Sequence, residues 1–303
     1  MTSAQTSPPK SVGVLAHSAK TLDGGLPDLR KALTSYGFDN PPWYEVPKSR
    51  FIPEKAKQLL EENVDLVLVW GGDGTVQRAI DSFTGQNVTL GILPAGTANL
   101  FARNLEIPID LEGAVKVALH GERRSLDIGK INGEHFGVMA GAGLDALMID
   151  DADGTLKDTF GRVTYVWTGV KNVHKKPVTT TVRVDGKKWF RGPATCVLVA
   201  NMGNVVGGVA AFPDASPDDG LLEIGVVTAD SAVEWVRTLG RAAFGSAEDS
   251  PFVKIKTGRR FDISLKKPRP WEVDGGSRKK TKRLKVRVEP SAITVSVPTK
   301  EEG

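Results

Sequence analysis

The chain has 303 residues, 40% hydrophobic and 25% charged, with a net charge of +4 and one cysteine. This composition excludes a disordered chain, a disulfide-stapled secreted module and, with no run near ~20 apolar residues, a membrane-spanning bundle. The charge is uneven: residues 251–287 hold fourteen basic residues against three acidic, a local +11 that leaves −7 for the rest.

Residues 1–10 lack the apolar stretch of a signal peptide and read as a disordered start. Strand and helix signals then alternate. A strand is expected over Ser11–His17, and a helix over Leu26–Tyr36 with Leu29, Leu33 and Tyr36 on one face. A short strand follows at Trp43–Val46, then a helix over Pro53–Asn63 with proline in its first turn. Two similar units come next. Val64–Trp70 reads as a buried strand, Gly71-Gly72-Asp73-Gly74-Thr75 as a turn, and Val76, Ala79, Ile80 and Phe83 as a helix face. Val88–Leu93 is the second strand, Pro94-Ala95-Gly96-Thr97-Ala98-Asn99 its turn, and Leu100, Phe101, Asn104 and Leu105 the helical spacing after it. A helix over Leu111–Leu119 closes the region. This order predicts an α/β domain with a doubly wound, mainly parallel sheet.

The texture changes after Ser125. Asn132-Gly133 and Asp185-Gly186 sit between alternating apolar runs, the strongest short-range hairpin signal. Further strands are expected at Thr195–Asn201, Leu221–Val227, Arg260–Leu265 and Arg283–Val288, and helices over Leu156–Val173 and Ser231–Ala243. The second domain is therefore β-rich. Cys196 lies within an apolar strand and reads as a packed residue, consistent with a reducing cytosol.

A strand, a glycine turn and a helix start together make an anion site, because glycine lets the backbone approach and the first helical N–H groups point outward. Two such turns on neighbouring parallel strands open onto one sheet edge, where α/β proteins bind ligands. The anion that suits the pair is a polyphosphate. Amides near Gly72, Gly74, Gly96 and Thr97 can hold it, and the Thr75 and Thr97 hydroxyls can donate to it. Asp73 puts a carboxylate beside it, suited to a metal, a water or an acceptor hydroxyl; the plainer role is to cap the helix that Thr75 opens. Asn99 either fixes its own turn or touches nucleotide. The four histidines have no metal-ligand spacing, and there is neither a Walker A sequence nor a G-x-G-x-x-G fingerprint.

Six segments, in order, resemble the diacylglycerol kinase catalytic-domain family, which includes bacterial lipid kinases and sphingosine kinases. They are Gly71–Thr75, Leu93–Asn99 with Phe101-Ala102-Arg103, Leu126–Gly129, Gly143-Leu144-Asp145-Ala146, Pro213–Leu222 and Val273-Asp274-Gly275-Gly276. The resemblance implies a nucleotide-binding α/β domain over residues 11–124 with a returning strand at 291–299. It implies a β-sandwich-like acceptor domain over 125–290, with the active site in the cleft between. The implied reaction moves the ATP γ-phosphoryl group to a lipid hydroxyl with Mg²⁺, diacylglycerol-like lipids being the expected acceptor. Asp73 is then the catalytic carboxylate, with Gly71, Gly72, Gly74, Thr75, Gly96, Thr97 and Asn99 at the nucleotide. Asp219 is either an ordinary turn residue or, by the resemblance, a ligand of a structural Mg²⁺. Asp127 is either a strand-end residue or part of a carboxylate and water network behind the site, and is grouped with the metal residues.

Three departures matter. Gly276 stands where kinases of this family usually carry glutamate, the usual base on the acceptor hydroxyl. Leu100 replaces a frequent aspartate, and Ala16-His17-Ser18-Ala19-Lys20 replaces an Asn-Pro-x-Ser-Gly stretch. Asp73 is the alternative base. Two further readings stay open: a catalytically silent lipid or nucleotide sensor, and an NAD kinase-like enzyme, which shares Gly-Gly-Asp-Gly. The expected setting is cytoplasmic with peripheral attachment to acidic membrane through Arg278–Arg283, and no nucleic-acid partner. No motif names the lipid or the oligomeric state.

Overall fold

The computed structural model describes residues 9–143, 176–205, 209–229, 234 and 250–299. The chain divides into two units, Met1–Ile128 with Pro290–Gly303, and Gly129–Glu289.

The first unit runs β1 (Val12–His17), α1 (Leu26–Ser35), β2 (Trp43–Val46), a 3-10 turn at Ser49–Phe51, α2 (Ile52–Glu61) and β3 (Leu66–Gly71). It continues with α3 (Asp73–Phe83), β4 (Thr89–Pro94), α4 (Leu100–Asn104), α5 (Leu111–His120) and the start of β5 (Glu122–Ile131). The strands pair in parallel in the order β2-β1-β3-β4, and Thr294–Val295 of the returning chain adds in parallel beside β4. A sheet covered by helices buries both faces of its strands, so they read as unbroken apolar runs rather than alternating ones. Leu66 to Trp70 are all fully buried. Leu29 and Leu33 of α1, Ala56 and Leu59 of α2, and Ala79, Ile80 and Phe83 of α3 supply apolar helix faces of the same unit. The chain steps outward from β1 to β2, then returns to β3 on the other side of β1. That reversal makes a switch point at the carboxyl ends of β1 and β3, and the Gly71–Thr75 turn leaves β3 there.

The second unit contains the end of β5, β6 (Glu134–Phe136), β7 (Met139–Ala142), β8 (Val178–Val184), β9 (Lys187–Ala194), β10 (Cys196–Ala200) and the short β11 (Asn204–Val205) and β12 (Val209–Ala210). Then come β13 (Leu222–Val227), β14 (Val253–Gly258), β15 (Arg260–Val273) and β16 (Gly276–Val297), whose last residues return to the first unit. Antiparallel pairing gives the order β14-β13-β10-β7-β15-β16, and β8 with β9 adds on β15. Strict alternation along β8 and the first half of β15 buries Val182, Val184, Phe261 and Ile263 while their neighbours face solvent. Phe190, Leu284 and Val286 join the same core.

Both hairpin signals hold: Asn132-Gly133 and Asp185-Gly186 occupy left-handed backbone at φ 49° and 100°, and 48° and 81°. A third turn of this kind, Asp274-Gly275 at φ 41° and 81°, was legible as Asp-Gly but its strands were placed too short. They extend to 14 and 22 residues, so the basic run is strand rather than loop. The strand β14 was also missed; it pairs along its whole length with β13. The helix expected over Leu156–Val173 lies outside the described residues, as does Leu144-Asp145-Ala146; of the helix expected over Ser231–Ala243 only Glu234 is described, and it is helical. Among the described residues no helix is long and apolar enough to cross a membrane.

Candidate functional site

The two glycine turns form one piece of structure. Gly71 pairs with Pro94 at the ends of β3 and β4, and the Ala95 N–H donates to the Gly71 carbonyl at 3.0 Å. A side chain on Gly96 would begin 2.4 Å from the Gly72 Cα, so the two backbones touch and glycine is required.

Asp73 fastens them together. Its Oδ2 accepts from the Asn99 N–H at 2.9 Å and its Oδ1 from the Leu100 N–H at 2.6 Å. The carboxylate therefore caps α4, reached through the other turn, while no side chain caps α3. The expectation that Asp73 would cap its own helix is corrected: Asp73 is the first residue of α3, and its side chain reaches across to the adjacent turn. Burial pushes its carboxyl above the ordinary range, while the N–H groups of Leu100, Asn99 and Phe101 pull it back down.

Asn99 spends its side chain on its own turn. It sits in left-handed backbone at φ 49°, accepts from the Gly96 N–H at 2.9 Å, and donates to the carbonyls of Pro94 and Gly96 at 3.1 and 2.9 Å. The Gly96 amide, expected at a phosphate, is thus taken. The Thr75 side chain packs directly over Gly71, and its hydroxyl is buried against Ser49 Oγ at 3.1 Å. Gly74 and Thr97 are exposed, and their N–H groups have no acceptor among the described residues. These two amides are the outward donors of the pair. Ser49, from the turn after β2, was not legible as a site residue. Only the parallel placement of β2 beside β1 brings it to this edge.

The remaining predicted residues lie elsewhere. Asp127 is buried on β5, and its Oδ1 accepts from the Ser291 N–H at 2.8 Å, holding the left-handed residue where the chain starts back along β16. Asp219 is exposed in a turn, its Oδ1 accepting from the Leu221 N–H at 2.8 Å, with Ser216 donating to Asp218 at 2.6 Å. Among the described residues no group of three His, Cys, Asp or Glu is arranged to hold a metal. The donor set is one carboxylate beside two outward-facing amides. That suits Mg²⁺, which is commonly held by one or two carboxylates together with phosphates and water.

In the second unit Asp274 is an anchor that sequence alone did not assign. Its buried carboxylate accepts from the N–H groups of Gly137, Val138 and Met139 at 2.7, 3.0 and 2.9 Å. Near it, Arg278 forks onto Glu134 with contacts of 2.7 and 2.9 Å. Arg278 Nη1 lies 2.8 Å from where a side chain on Gly276 would begin.

A pair of glycine turns at the switch point of a parallel sheet, joined by one carboxylate, marks the first unit as a doubly wound α/β fold, and an antiparallel unit follows it in the chain. The chain belongs to the diacylglycerol kinase catalytic-domain family. The diacylglycerol kinase catalytic domain matches residues 28–131, and the YegS C-terminal NAD kinase beta sandwich-like domain matches residues 138–297. The chain is 28% identical over 224 residues to the diacylglycerol kinase of Bacillus subtilis, covering 73% of this chain and 74% of that one. Its fold resembles that of a diacylglycerol kinase from Bacillus anthracis, with a TM-score of 0.75, 21% identity, and 96% and 98% of the two chains covered. It also resembles an NAD kinase from Archaeoglobus fulgidus in complex with ATP, with a TM-score of 0.52, 14% identity, and 95% and 94% covered.

Proposed function

We propose that this protein is an ATP- and Mg²⁺-dependent lipid kinase that phosphorylates a diacylglycerol-like hydroxyl. One observation carries the reading: the Asp73 carboxylate locks both glycine turns into a single anion-facing edge. Family membership and the named activity of the relatives support the substrate class.

In this reading the Gly72, Gly74 and Thr97 backbone holds the phosphates. Gly71 and Gly96 let the turns meet, Asn99 and Thr75 stiffen them, and the Thr97 hydroxyl adds a donor. The acceptor oxygen attacks the γ-phosphorus, the bond to the β–γ bridging oxygen breaks, and ADP leaves. Asp73 takes the hydroxyl proton, a role favoured by a carboxyl that burial has already made more basic. Mg²⁺, held by Asp73 and the phosphates, would neutralise charge that otherwise repels the carboxylate. Asp219 would serve a separate structural Mg²⁺, and Asp127 would stiffen the strand behind the turns.

A second reading, a nucleotide- or lipid-binding protein without turnover, is favoured by position 276. Glycine stands there, and Arg278, already engaged by Glu134, sits against the space of the missing side chain. Labelled ATP offered with mixed micelles of diacylglycerol, monoacylglycerol, phosphatidylglycerol, sphingosine or ceramide, with NAD as control, separates the cases. Label in diacylglycerol supports the kinase. ATP binding with no labelled lipid supports the silent protein, and label in NAD overturns both.

A further inference from the structure

The basic residues that look like a linear run in the sequence are sorted by the sheet. Arg278 leaves the run, being half-buried and tied to Glu134. Arg283 and Lys285 alternate outward along β16 around the buried Leu284 and Val286. Register then extends them sideways. Lys285 faces Asp262 on β15, which faces Arg183 on β8, which faces Lys188 on β9. Arg283 faces Ser264, then Thr181, then Arg191 in the same way. Arg260 stands opposite Arg287 at the next outward rung, and Arg287 is bound to Glu289 at 2.6 Å. Asp262 is the one acidic side chain on these paired outward positions. The opposite face of the same four strands is the apolar core.

We propose that this outward face of β9, β8, β15 and β16 is a docking surface for the acidic headgroups of a lipid bilayer. The proposal rests on the lipid-kinase reading, in which the acceptor is dissolved in a membrane. Its cations stand on a sheet lattice whose strands are about 4.8 Å apart and whose same-face positions are about 6.8 Å apart along a strand. Arg183 and Lys188, and Arg260 and Arg287, are on adjacent strands, and the other rungs have one or two strands between their cations. A planar array of this kind meets many phosphates of a bilayer at once. A nucleic-acid groove is instead read by an inserted helix or ribbon, and this face offers a broad sheet. The surface draws on four strands spread over more than a hundred residues. It shares only Arg283 with the run Arg278–Arg283 that sequence alone singles out.

The test is sedimentation of the full chain with vesicles of phosphatidylglycerol and phosphatidylcholine, without nucleotide. Turnover does not enter the readout, so a failed kinase reading and a failed docking surface are told apart. Wild-type protein is expected to bind at low salt, to bind pure phosphatidylcholine poorly, and to release at high salt. Each basic group near an acidic surface contributes roughly fivefold to binding, so R183Q/R191Q/R260Q/K285Q should lose roughly several hundred-fold. The charge-preserving R183K/R191K/R260K/K285R should bind as wild type, and melting curves of both variants verify their fold. K279Q/K280Q/K282Q should lose less than the face variant. Wild-type binding by R183Q/R191Q/R260Q/K285Q, no wild-type binding to acidic vesicles, or tighter binding to duplex DNA than to the vesicles would each overturn the proposal.

Discussion

Replacing Gly96 by alanine puts a methyl carbon 2.4 Å from the Gly72 Cα and 2.6 Å from Asn99 Oδ1. Neither neighbour can swing aside: one is backbone, and the other accepts the hydrogen bond that shapes the turn. Gly96 is outside the left-handed region, so contact alone decides the outcome. Restoring an ordinary carbon–carbon separation requires the turns to part by roughly 1 Å. Overpacking of this kind costs about 1–3 kcal/mol, and each kcal/mol lowers Tm by roughly 2–4 °C in a protein of 150–250 residues. Parting the turns also strains the two N–H bonds to Asp73 and separates the Gly74 and Thr97 amides. A displacement near 1 Å costs turnover about 100-fold. Gly74→Ala is the internal control, because its new carbon meets only Ser49 Oγ at 3.9 Å. Within α3 it should gain about 0.5–1 kcal/mol. Thermal melting of both variants, with calorimetric ATP titration of Gly96→Ala against wild type, makes the comparison. Wild-type Tm together with wild-type ATP affinity in Gly96→Ala would refute the reasoning that the touching turns build the site.

Asp73→Asn should leave ATP binding in EDTA measurable and cut turnover about 10²–10⁴-fold, read with labelled ATP; retained turnover removes Asp73 as the base. Because burial holds the Asp73 carboxyl above its unfolded value, its stabilising contribution is complete below the unfolded pKa and is lost as pH rises through the folded one. Urea titrations across that acidic window should show a fall in stability that the asparagine variant lacks. Asp274→Ala orphans three buried N–H groups and should destabilise the second unit by about 3–5 kcal/mol, seen as an earlier urea midpoint; an unchanged midpoint contradicts the anchoring role. Burial pushes the Cys196 thiol up to about 12, so iodoacetamide at neutral pH should label it only after unfolding, and rapid labelling of folded protein would count against its buried strand position.

The local chemistry of this fold was written in the sequence. Apolar runs with glycine turns and helical spacing determined the parallel strands and α1 to α5, because periodicity and turn residues act over a few residues. Asn132-Gly133 and Asp185-Gly186 determined their hairpins, because few residue pairs tolerate two left-handed positions. The paired glycine turns marked the candidate site for the same reason. The structure decided what depends on neighbours distant in the chain. Asp73 bonds to residues 26 and 27 positions away, so no local rule could assign it to α4. The packing of Thr75 over Gly71 and the contact of its hydroxyl with Ser49, 26 residues away, also depend on the fold. Asp274 carries three N–H groups from more than 130 residues earlier, which a turn signal cannot encode. The long partners β15 and β16 were read short because charged stretches lose their alternation to solvent, and only pairing across the sheet keeps such residues in strand. Register, finally, turned a linear run of charge into a four-stranded cationic face, because side chains on one face of a sheet are neighbours whatever their separation in sequence.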